Sequence, residues 1–170
     1  MSLLPLFIDL KEQHCLIVGG GTIAARKLAM LCKAGARVTV VSPELSAQTE
    51  KLCQEYNCQL ERRAFVEEDI QGQRLIIAAT SIAAVNQQVS ELAKAKGILV
   101  NVADDFTQGD VVLPSVIDRD PIQIAITTGG ASPVLARMIR RNLERHLPSA
   151  YGQLANLVEK YRSPVSKQLT

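Results

Sequence analysis

Unbroken apolar runs recur through the first two thirds of the chain and predict its strands. HCLIVG, ARVTVV, RLIIAAT and ILVNVA contain hardly any polar residue, and a strand near QLERRAF is less apolar. Strands that are covered on both faces have this composition, because neither face meets water. A shorter strand is predicted at LLPLFIDL, residues 3–10.

Between these runs, apolar residues recur at the spacing of an amphipathic helix. The pattern predicts helices over Thr22–Ala34 and over residues 45–56 and 83–96, and Gly35 and Gly97 stand where a helix C-terminus favours glycine. Strands and helices that alternate at such short intervals are typical of the α/β class. We therefore expect a doubly wound parallel sheet.

After Asp105 the alternation of strand and helix stops. Val111–Ile117 and Ile122–Thr128 are strand-like and joined by DRDP, which predicts a hairpin. SPVLARMIRRNLERHLP and AYGQLANLVEKYR then predict two helices. So few elements bury little core by themselves. We expect a first domain over residues 1–110, a dimerisation region of hairpin and helix over 111–148, and a helical tail over 149–170.

Composition and charge exclude several classes of protein. The hydrophobic fraction is 47% and the net charge is +2, which does not indicate a nucleic-acid partner. No apolar run approaches the roughly 20 residues that a membrane span needs. The N-terminus lacks a basic region and carries Asp9 and Glu12, so we expect no signal peptide and a cytoplasmic location.

The cysteines are Cys15, Cys32, Cys53 and Cys58, without a CxxC pair. We expect reduced thiols that act as small apolar side chains. A redox role for Cys53 and Cys58 is the alternative.

The stretch CLIVGGGTIAARKLAMLCKAGARVTVVSP carries the most specific chemistry. Gly19, Gly20, Gly21, Thr22, Ile23 and Ala24 fit G-x-G-x-x-A, the fingerprint of a Rossmann-like dinucleotide site. Gly19 permits a tight turn, Gly21 lets a pyrophosphate approach the backbone, and Ala24 keeps the helix close to the sheet. The motif lies between a predicted strand and helix, as this interpretation requires. A purely structural glycine turn is the alternative.

The end of the second predicted strand departs from the usual pattern. Ser42 and Pro43 stand where an acid normally binds the ribose hydroxyls, and Glu44 is the nearest carboxylate. No arginine follows that would hold a 2′-phosphate. The sequence therefore favours NAD over NADP.

Polar residues also follow the fourth and fifth predicted strands. Thr80 and Ser81 are candidates for the nucleotide site or plain caps of the next helix. Asn101, Asp104 and Asp105 come at the carboxyl end of the fifth strand, where open α/β sheets bind ligands. A carboxylate there would relay a proton or hold a divalent metal transiently. A solvated acid or a helix cap is the alternative.

The last third of the chain offers a possible anion site. Ser132 and Pro133 predict a helix start, with Ser132 as N-cap or as part of an anion-binding turn with Gly129 and Gly130. One face of the helix behind is basic and suits either solvent or a substrate rich in carboxylates. Its basic residues are Arg137, Arg140, Arg141, Arg145 and His146. His14 and His146 are too isolated to predict a metal pair.

Several motifs together resemble a known family. LPLFIDL, the glycine stretch, IIAATSIAAVNQQV, NVADD, LPSVIDRDPIQIAITTGGASPVLAR and LE…LP occur in the order found in precorrin-2 dehydrogenases, the dehydrogenase and ferrochelatase module of siroheme synthase. The resemblance covers about residues 3–160 and both predicted regions.

The resemblance implies NAD-dependent oxidation of the tetrapyrrole precorrin-2 to sirohydrochlorin, and in many members insertion of ferrous iron. It also implies a homodimer with its active site near the dimer interface. The family's functional aspartate matches Asp104, and its glycine loop matches Gly19 to Ala24. This chain is shorter than a stand-alone member, which raises the expectation of a truncated tail.

Two other functions remain open at this point. A non-catalytic NAD(H)-sensing module would normally keep an acid at the end of the second strand. A dehydrogenase of a small metabolite would normally carry a larger second domain with a His or Lys general acid.

Overall fold

The computed structural model describes residues 3–103, 105 and 107–168, with side chains up to Tyr161. It divides into two compact units, Met1–Val111 and Val112–Thr170.

The first unit is built on a parallel sheet of five strands in the order β3-β2-β1-β4-β5. The strands are β1 (His14–Val18), β2 (Arg37–Val41), β3 (Gln59–Glu61), β4 (Leu75–Ala78) and β5 (Leu99–Val102). The chain winds outwards from β1 to β3 and then returns to the other side of β1. Because the order reverses between β1 and β4, the ligand crevice of such a sheet is expected beyond their carboxyl ends.

Three helices and one short turn connect these strands. They are α1 (Thr22–Lys33), α2 (Ala47–Glu55), the 3₁₀ turn Glu67–Ile70 and α3 (Ala83–Ala95). The central strands β1 and β4 are buried except at His14, and Leu16, Ile17, Ile76 and Ile77 have no exposed surface. This aliphatic core is what the unbroken apolar runs predict.

The second unit contains an antiparallel hairpin and two helices. Strands β6 (Ser115–Arg119) and β7 (Ile122–Ile126) pair, and α4 (Pro133–His146) and α5 (Ala150–Gln168) follow. Among the described residues, Ile117 and Ala136 are its buried hydrophobic side chains. In the described part of the chain, no helix combines the length and the apolar character that crossing a membrane requires.

The prediction of a strand at residues 3–10 is wrong, because all of these residues are described and none is in a strand. Both sides of β1 are occupied, by β2 and β4. Pro5 also lacks the N–H that a sheet ladder requires. Leu4, Leu6 and Phe7 consequently stay largely exposed.

The hairpin differs from its prediction in its bounds. Residues 111–114 are not in a strand, whereas Asp118 and Arg119 continue β6 and pair with Gln123 and Ile122. The turn is therefore only Asp120–Pro121. Asp118 Oδ1 accepts a hydrogen bond from Asp120 N at 3.2 Å, which explains how the pairing extends into the predicted turn.

Candidate functional site

Two of the three glycines after β1 are demanded by the protein's own packing. Gly19 has φ +121°, which L side chains rarely adopt, and a Cβ on it would overlap the Ala79 carbonyl. A Cβ on Gly20 would overlap the Glu44 carbonyl and lie 2.7 Å from Leu45 Cδ2. Both glycines let neighbouring backbone segments approach closely.

Gly21 is different from both. Its φ is −78° and its ψ −174°, a conformation open to any residue. Apart from its two chain neighbours, no described residue would contact its Cβ within 4 Å. Neither the backbone nor the packing explains a glycine here. A ligand that must approach the backbone closely does explain it.

The N-terminus of α1 begins at this open space. Gly21 is the N-cap, no described side chain caps it, and the first turn contains no acidic residue. The N–H groups and the positive end of the helix dipole are therefore available to an anion such as a pyrophosphate.

A cavity of about 810 Å³ lies in front of the glycine loop. Ten of the predicted cofactor-binding residues line it: Gly19, Gly20, Gly21, Thr22, Ile23, Ser42, Pro43, Glu44, Thr80 and Ser81. It is also lined by Val18, Val41, Leu45, Ser46, Ala64, Phe65, Ala79, Ile82 and Val85.

Two predicted cofactor-binding residues are not part of this lining. Ala24 is fully buried under the loop, where a small side chain keeps α1 close to the sheet. Asn101 is 5% exposed, and its Nδ2 donates to the Val111 carbonyl at 2.7 Å. It anchors the segment that leaves β5, and a direct contact with the cofactor stays a prediction without support from the cavity.

The glycine loop is held from behind by α2. The Gly20 carbonyl accepts hydrogen bonds from Ser46 N and from Thr49 Oγ1, both at 2.8 Å. Thr49 is fully buried, so this contact is shielded from water. Thr49 is not among the residues predicted for the site, since the Ser46-x-x-Thr49 spacing indicates only a helix cap.

The end of β2 presents one carboxylate to the cavity. Ser42 is buried and its Oγ donates to the Glu44 carbonyl at 2.6 Å, whereas Glu44 itself is exposed. Ser42 thus shapes the turn, and Glu44 supplies the negative charge.

The arginines that follow β3 are engaged by acids. Arg62 pairs with Glu50 at 2.6 Å, and Arg63 pairs with Asp69 through two contacts of 2.6 and 2.8 Å. The hydrogen bonds from Arg63 hold the pKa of Asp69 below its usual range. This pair fixes the segment that carries the cavity residues Ala64 and Phe65.

The loop after β4 is held by a side chain that was not predicted for the site either. Asn86 on α3 is 8% exposed and makes hydrogen bonds with the N–H, the carbonyl and the hydroxyl of Thr80. A buried polar residue among apolar positions of α3 was the available signal. Ser81 lies exposed at the rim of the cavity.

Asp104, the predicted catalytic and transient metal residue, lies outside the described residues. Its neighbour Asp105 accepts hydrogen bonds from Thr107 N and Oγ1 at 3.0 and 2.6 Å, and from Gln108 Nε2 at 2.8 Å. The bonds to Thr107 are the main cause of a lowered pKa of Asp105. Asp105 therefore stabilises a turn of the loop after β5, a structural role that differs from the helix cap given as an alternative.

Ser132 and the basic helix can be described within the second unit. Ser132 Oγ accepts from Leu135 N at 3.1 Å, as an N-cap does. Arg140 pairs with Glu144 at 2.7 Å, whereas Arg137 and Arg141 are exposed. Substrate contacts by these residues stay predictions. Among the described residues, no group of three His, Cys, Asp or Glu side chains could hold a metal ion.

The two thiols that lie in contact belong to cysteines that are far apart in the sequence. All four thiols are free, and Cys32 Sγ lies 3.6 Å from Cys58 Sγ. The hydrogen bond from Cys58 lowers the pKa of Cys32, whereas burial raises the pKa of Cys15 to about 11.

Comparison with known proteins agrees with this geometry. A family model described as putative NAD(P)-binding matches residues 6–115, and one described as sirohaem biosynthesis protein central matches residues 119–146. The chain is 44% identical over 170 residues to a siroheme synthase of Nitrosococcus oceani and 46% identical over 169 residues to one of Thioalkalivibrio sulfidiphilus. It spans about a third of these relatives, 36% and 35% of their lengths.

A solved structure, SirC, precorrin-2 dehydrogenase, is similar over most of both chains. The identity is 32% and the TM-score 0.79, and the alignment covers 95% of this chain and 79% of that one. These matches confirm the predicted Rossmann-like fold and the family resemblance. The chain belongs to the family of precorrin-2 dehydrogenases and siroheme synthases.

Proposed function

We propose that this chain oxidises precorrin-2 to sirohydrochlorin with NAD⁺ as the acceptor. The observation that carries the proposal is Gly21, a glycine that only an incoming ligand explains, at the uncapped start of α1. Membership of a family that includes a precorrin-2 dehydrogenase supplies the substrate. In the balanced reaction, precorrin-2 and NAD⁺ give sirohydrochlorin, NADH and one proton.

The residues around the cavity suit NAD. The N–H groups at the start of α1 would hold the pyrophosphate, and the end of β2 would meet the adenosine ribose. Glu44 would accept hydrogen bonds from the ribose hydroxyls and repel a 2′-phosphate. Arg62 and Arg63 are already paired with acids, which also favours NAD over NADP.

When bound, the nicotinamide supplies the hydride acceptor. Asp104 would accept the proton that the substrate loses as the hydride leaves. The carboxylates of the tetrapyrrole would be held by Ser132, Arg137, Arg140 and Arg141, with guanidinium groups as the main partners. Exposed Arg137 and Arg141 remain available for this without breaking an ion pair recorded in the structure.

We propose that the chain works as a homodimer. Helix α4 exposes an apolar row of Val134, Leu135, Met138 and Leu143, with 41–58% of each residue accessible. Exposed apolar rows of this kind mark protein interfaces. A second copy of the chain is the proposed partner, because the small unit buries little core of its own.

Iron insertion stays a prediction that rests on the family resemblance. Ferrous iron would be its substrate, and sirohydrochlorin would lose two protons to give sirohaem. In the proposal Asp104 would also accept protons in this step and contact the metal transiently.

The test is an anaerobic absorbance assay of the purified chain with enzymatically generated precorrin-2 and NAD⁺. Formation of sirohydrochlorin with an equal amount of NADH is expected. Ferrous iron added to the same cuvette tests the second step. If NAD⁺ binds and no oxidation follows, the dehydrogenase proposal fails and the NAD(H)-sensing alternative takes its place.

A further inference from the structure

We propose that Asn86 is a positioning residue that sets the nicotinamide side of the cofactor cavity by holding the loop Ala79–Ile82. The inference rests on the proposed function, because it assumes that the cavity binds NAD. It concerns a residue on α3 that does not line the cavity itself.

All recorded hydrogen bonds of the Asn86 side chain go to one residue. Its Oδ1 accepts from Thr80 N at 3.1 Å and from Thr80 Oγ1 at 2.8 Å, and its Nδ2 donates to the Thr80 carbonyl at 3.0 Å. Thr80 is thereby held at its N–H, its carbonyl and its hydroxyl. Such a set of bonds fixes both the position and the orientation of Thr80.

Thr80 is part of the cavity wall beside the glycine loop. A Cβ on Gly19 would lie 3.0 Å from Thr80 N and would overlap the Ala79 carbonyl, so the two segments already lie in tight contact. Ala79 N also donates to the Val18 carbonyl at 2.8 Å, which ties the loop to the end of β1. Any displacement of Thr80 therefore changes the shape of the cavity that is proposed to bind the cofactor.

The helix itself does not require an asparagine at this position. Its neighbours on the buried face, Val89 and Ala93, are apolar and fully buried, and an apolar residue at position 86 would continue that face. A buried amide carries a desolvation cost that its hydrogen bonds must offset. These hydrogen bonds fix the orientation of Thr80, and an apolar side chain at position 86 would not fix it.

Ser90 offers a matched control on the same helix. It lies four residues on, is 3% exposed and donates a hydrogen bond to the Gln108 carbonyl. Gln108 belongs to the loop after β5 and does not line the NAD cavity. Asn86 and Ser90 are thus buried polar residues of one helix that hold two different loops.

The experiment measures affinity by calorimetry for two ligands, NAD⁺ and AMP. In the proposed orientation, with the adenosine at the end of β2, AMP would not reach the loop after β4, whereas NAD⁺ would. The variants are Asn86→Leu, Asn86→Asp and Ser90→Ala, each with its thermal midpoint. Asn86→Asp keeps the two accepting contacts and loses the donating one.

We expect Asn86→Leu to raise the Kd for NAD⁺ about tenfold or more. A displaced Thr80 would weaken the contacts on the nicotinamide side of the cavity. The Kd for AMP should stay within about twofold of wild type. Asn86→Asp should lie between Asn86→Leu and wild type, and Ser90→Ala should leave both affinities unchanged.

Equal losses for NAD⁺ and AMP, or equal losses in Ser90→Ala, would overturn the positioning role in favour of a general loss of stability. If Asn86→Leu does not fold, the Kd values of Asn86→Asp for NAD⁺ and AMP provide the same test. Failure of the wild type to bind NAD⁺ would overturn the proposed function, whereas tight binding by wild type and variants alike overturns only this inference.

Discussion

The two units of the chain expose different kinds of surface that suit a binding partner. The first unit buries the apolar side chains of its central strands and, apart from exposed Leu4, Leu6 and Phe7, leaves open a cavity lined by glycine backbone and by polar and apolar side chains. The second unit buries Ile117 and Ala136 and leaves the apolar row of α4 exposed. The first surface suits a small charged ligand, and the second suits another protein surface.

The difference follows from how many elements each unit contains. Five strands and three helices supply enough apolar surface to close a core, so the polar groups at the strand ends are free for binding. Two strands and two helices do not, and their remaining apolar area needs a partner. Ligand binding and association should therefore be separable by mutation.

The largest effect is expected from Gly21→Asp. The substitution puts a side chain and a negative charge where the pyrophosphate is proposed to lie, so NAD⁺ affinity should fall at least about a hundredfold. The thermal midpoint should stay near that of wild type, because no described residue apart from the chain neighbours Gly20 and Thr22 lies within 4 Å of the new Cβ. Calorimetric titration with NAD⁺ and a thermal melt measure the two quantities.

Gly20→Asp is the matched control, since its Cβ would overlap the Glu44 carbonyl. It should lower stability and binding together. If Gly21→Asp also unfolds the chain, or binds NAD⁺ normally, the proposed distinction fails. Gly21 would then not be a glycine required by the ligand, in contrast to Gly20, which the packing requires.

A second substitution tests the other surface. Met138→Glu places a charge in the apolar row of α4, where Met138 is 56% exposed, and should convert the proposed dimer into a monomer. NAD⁺ affinity should change little. Light scattering during gel filtration measures the mass, and Tyr56→Glu, at a 40% exposed residue of the first unit, should leave that mass unchanged. A wild-type chain that is already monomeric contradicts the proposal.

The sequence predicted most of the first unit because its signals are local. Unbroken apolar runs give β1, β2, β4 and β5 with small errors in their ends, and Gly35 and Gly97 end their helices with positive φ as predicted. The strand predicted at residues 3–10 failed because strand formation depends on a pairing partner, and β1, the next strand along the chain, is already paired on both sides. Local composition does not report such pairing.

The candidate site was predictable only where the residues touch the cavity. The glycine fingerprint, Ser42–Glu44 and Thr80 follow from their places at strand ends. Thr49 and Asn86 act through long-range contacts with Gly20 and Thr80. A polar residue on the buried face of a helix, as Asn86 is, indicates that it has a partner. Which loop it holds depends on how the helices pack on the loops, and a single sequence does not contain that information.

A smaller effect is expected from the ion pairs of the two units. Asp69 is 9% exposed at its side chain and accepts from Arg63 and from Val66 N, whereas Glu144 is 35% exposed beside Arg140. Asp69→Asn should lower the thermal midpoint by several degrees at neutral pH, and Glu144→Gln should hardly change it.

The pH dependence of this difference has a definite sign. Because folding lowers the pKa of Asp69, its stabilisation is complete above the ordinary carboxyl pKa and is lost as pH falls through the lower folded value. The gap between wild type and Asp69→Asn should therefore persist through mildly acidic pH and close only in strong acid. A gap that closes near neutral pH would exclude Asp69 as its cause.

The smallest expected effect is a difference in how fast a thiol reagent modifies buried and partly exposed cysteines of the first unit. Cys15 is fully buried with a pKa of about 11, whereas Cys32 is partly exposed and its pKa is lowered by Cys58. The thiolate is the reactive form, so iodoacetamide should modify Cys32 well before Cys15 in the folded chain. Mass spectrometry of peptides measures the order, and Cys58→Ala should slow the reaction of Cys32 by removing the hydrogen bond that favours its thiolate. Equal labelling of Cys15 and Cys32 would mean that the sheet opens on the timescale of the reaction, and the first unit would then be less self-sufficient than its buried core indicates.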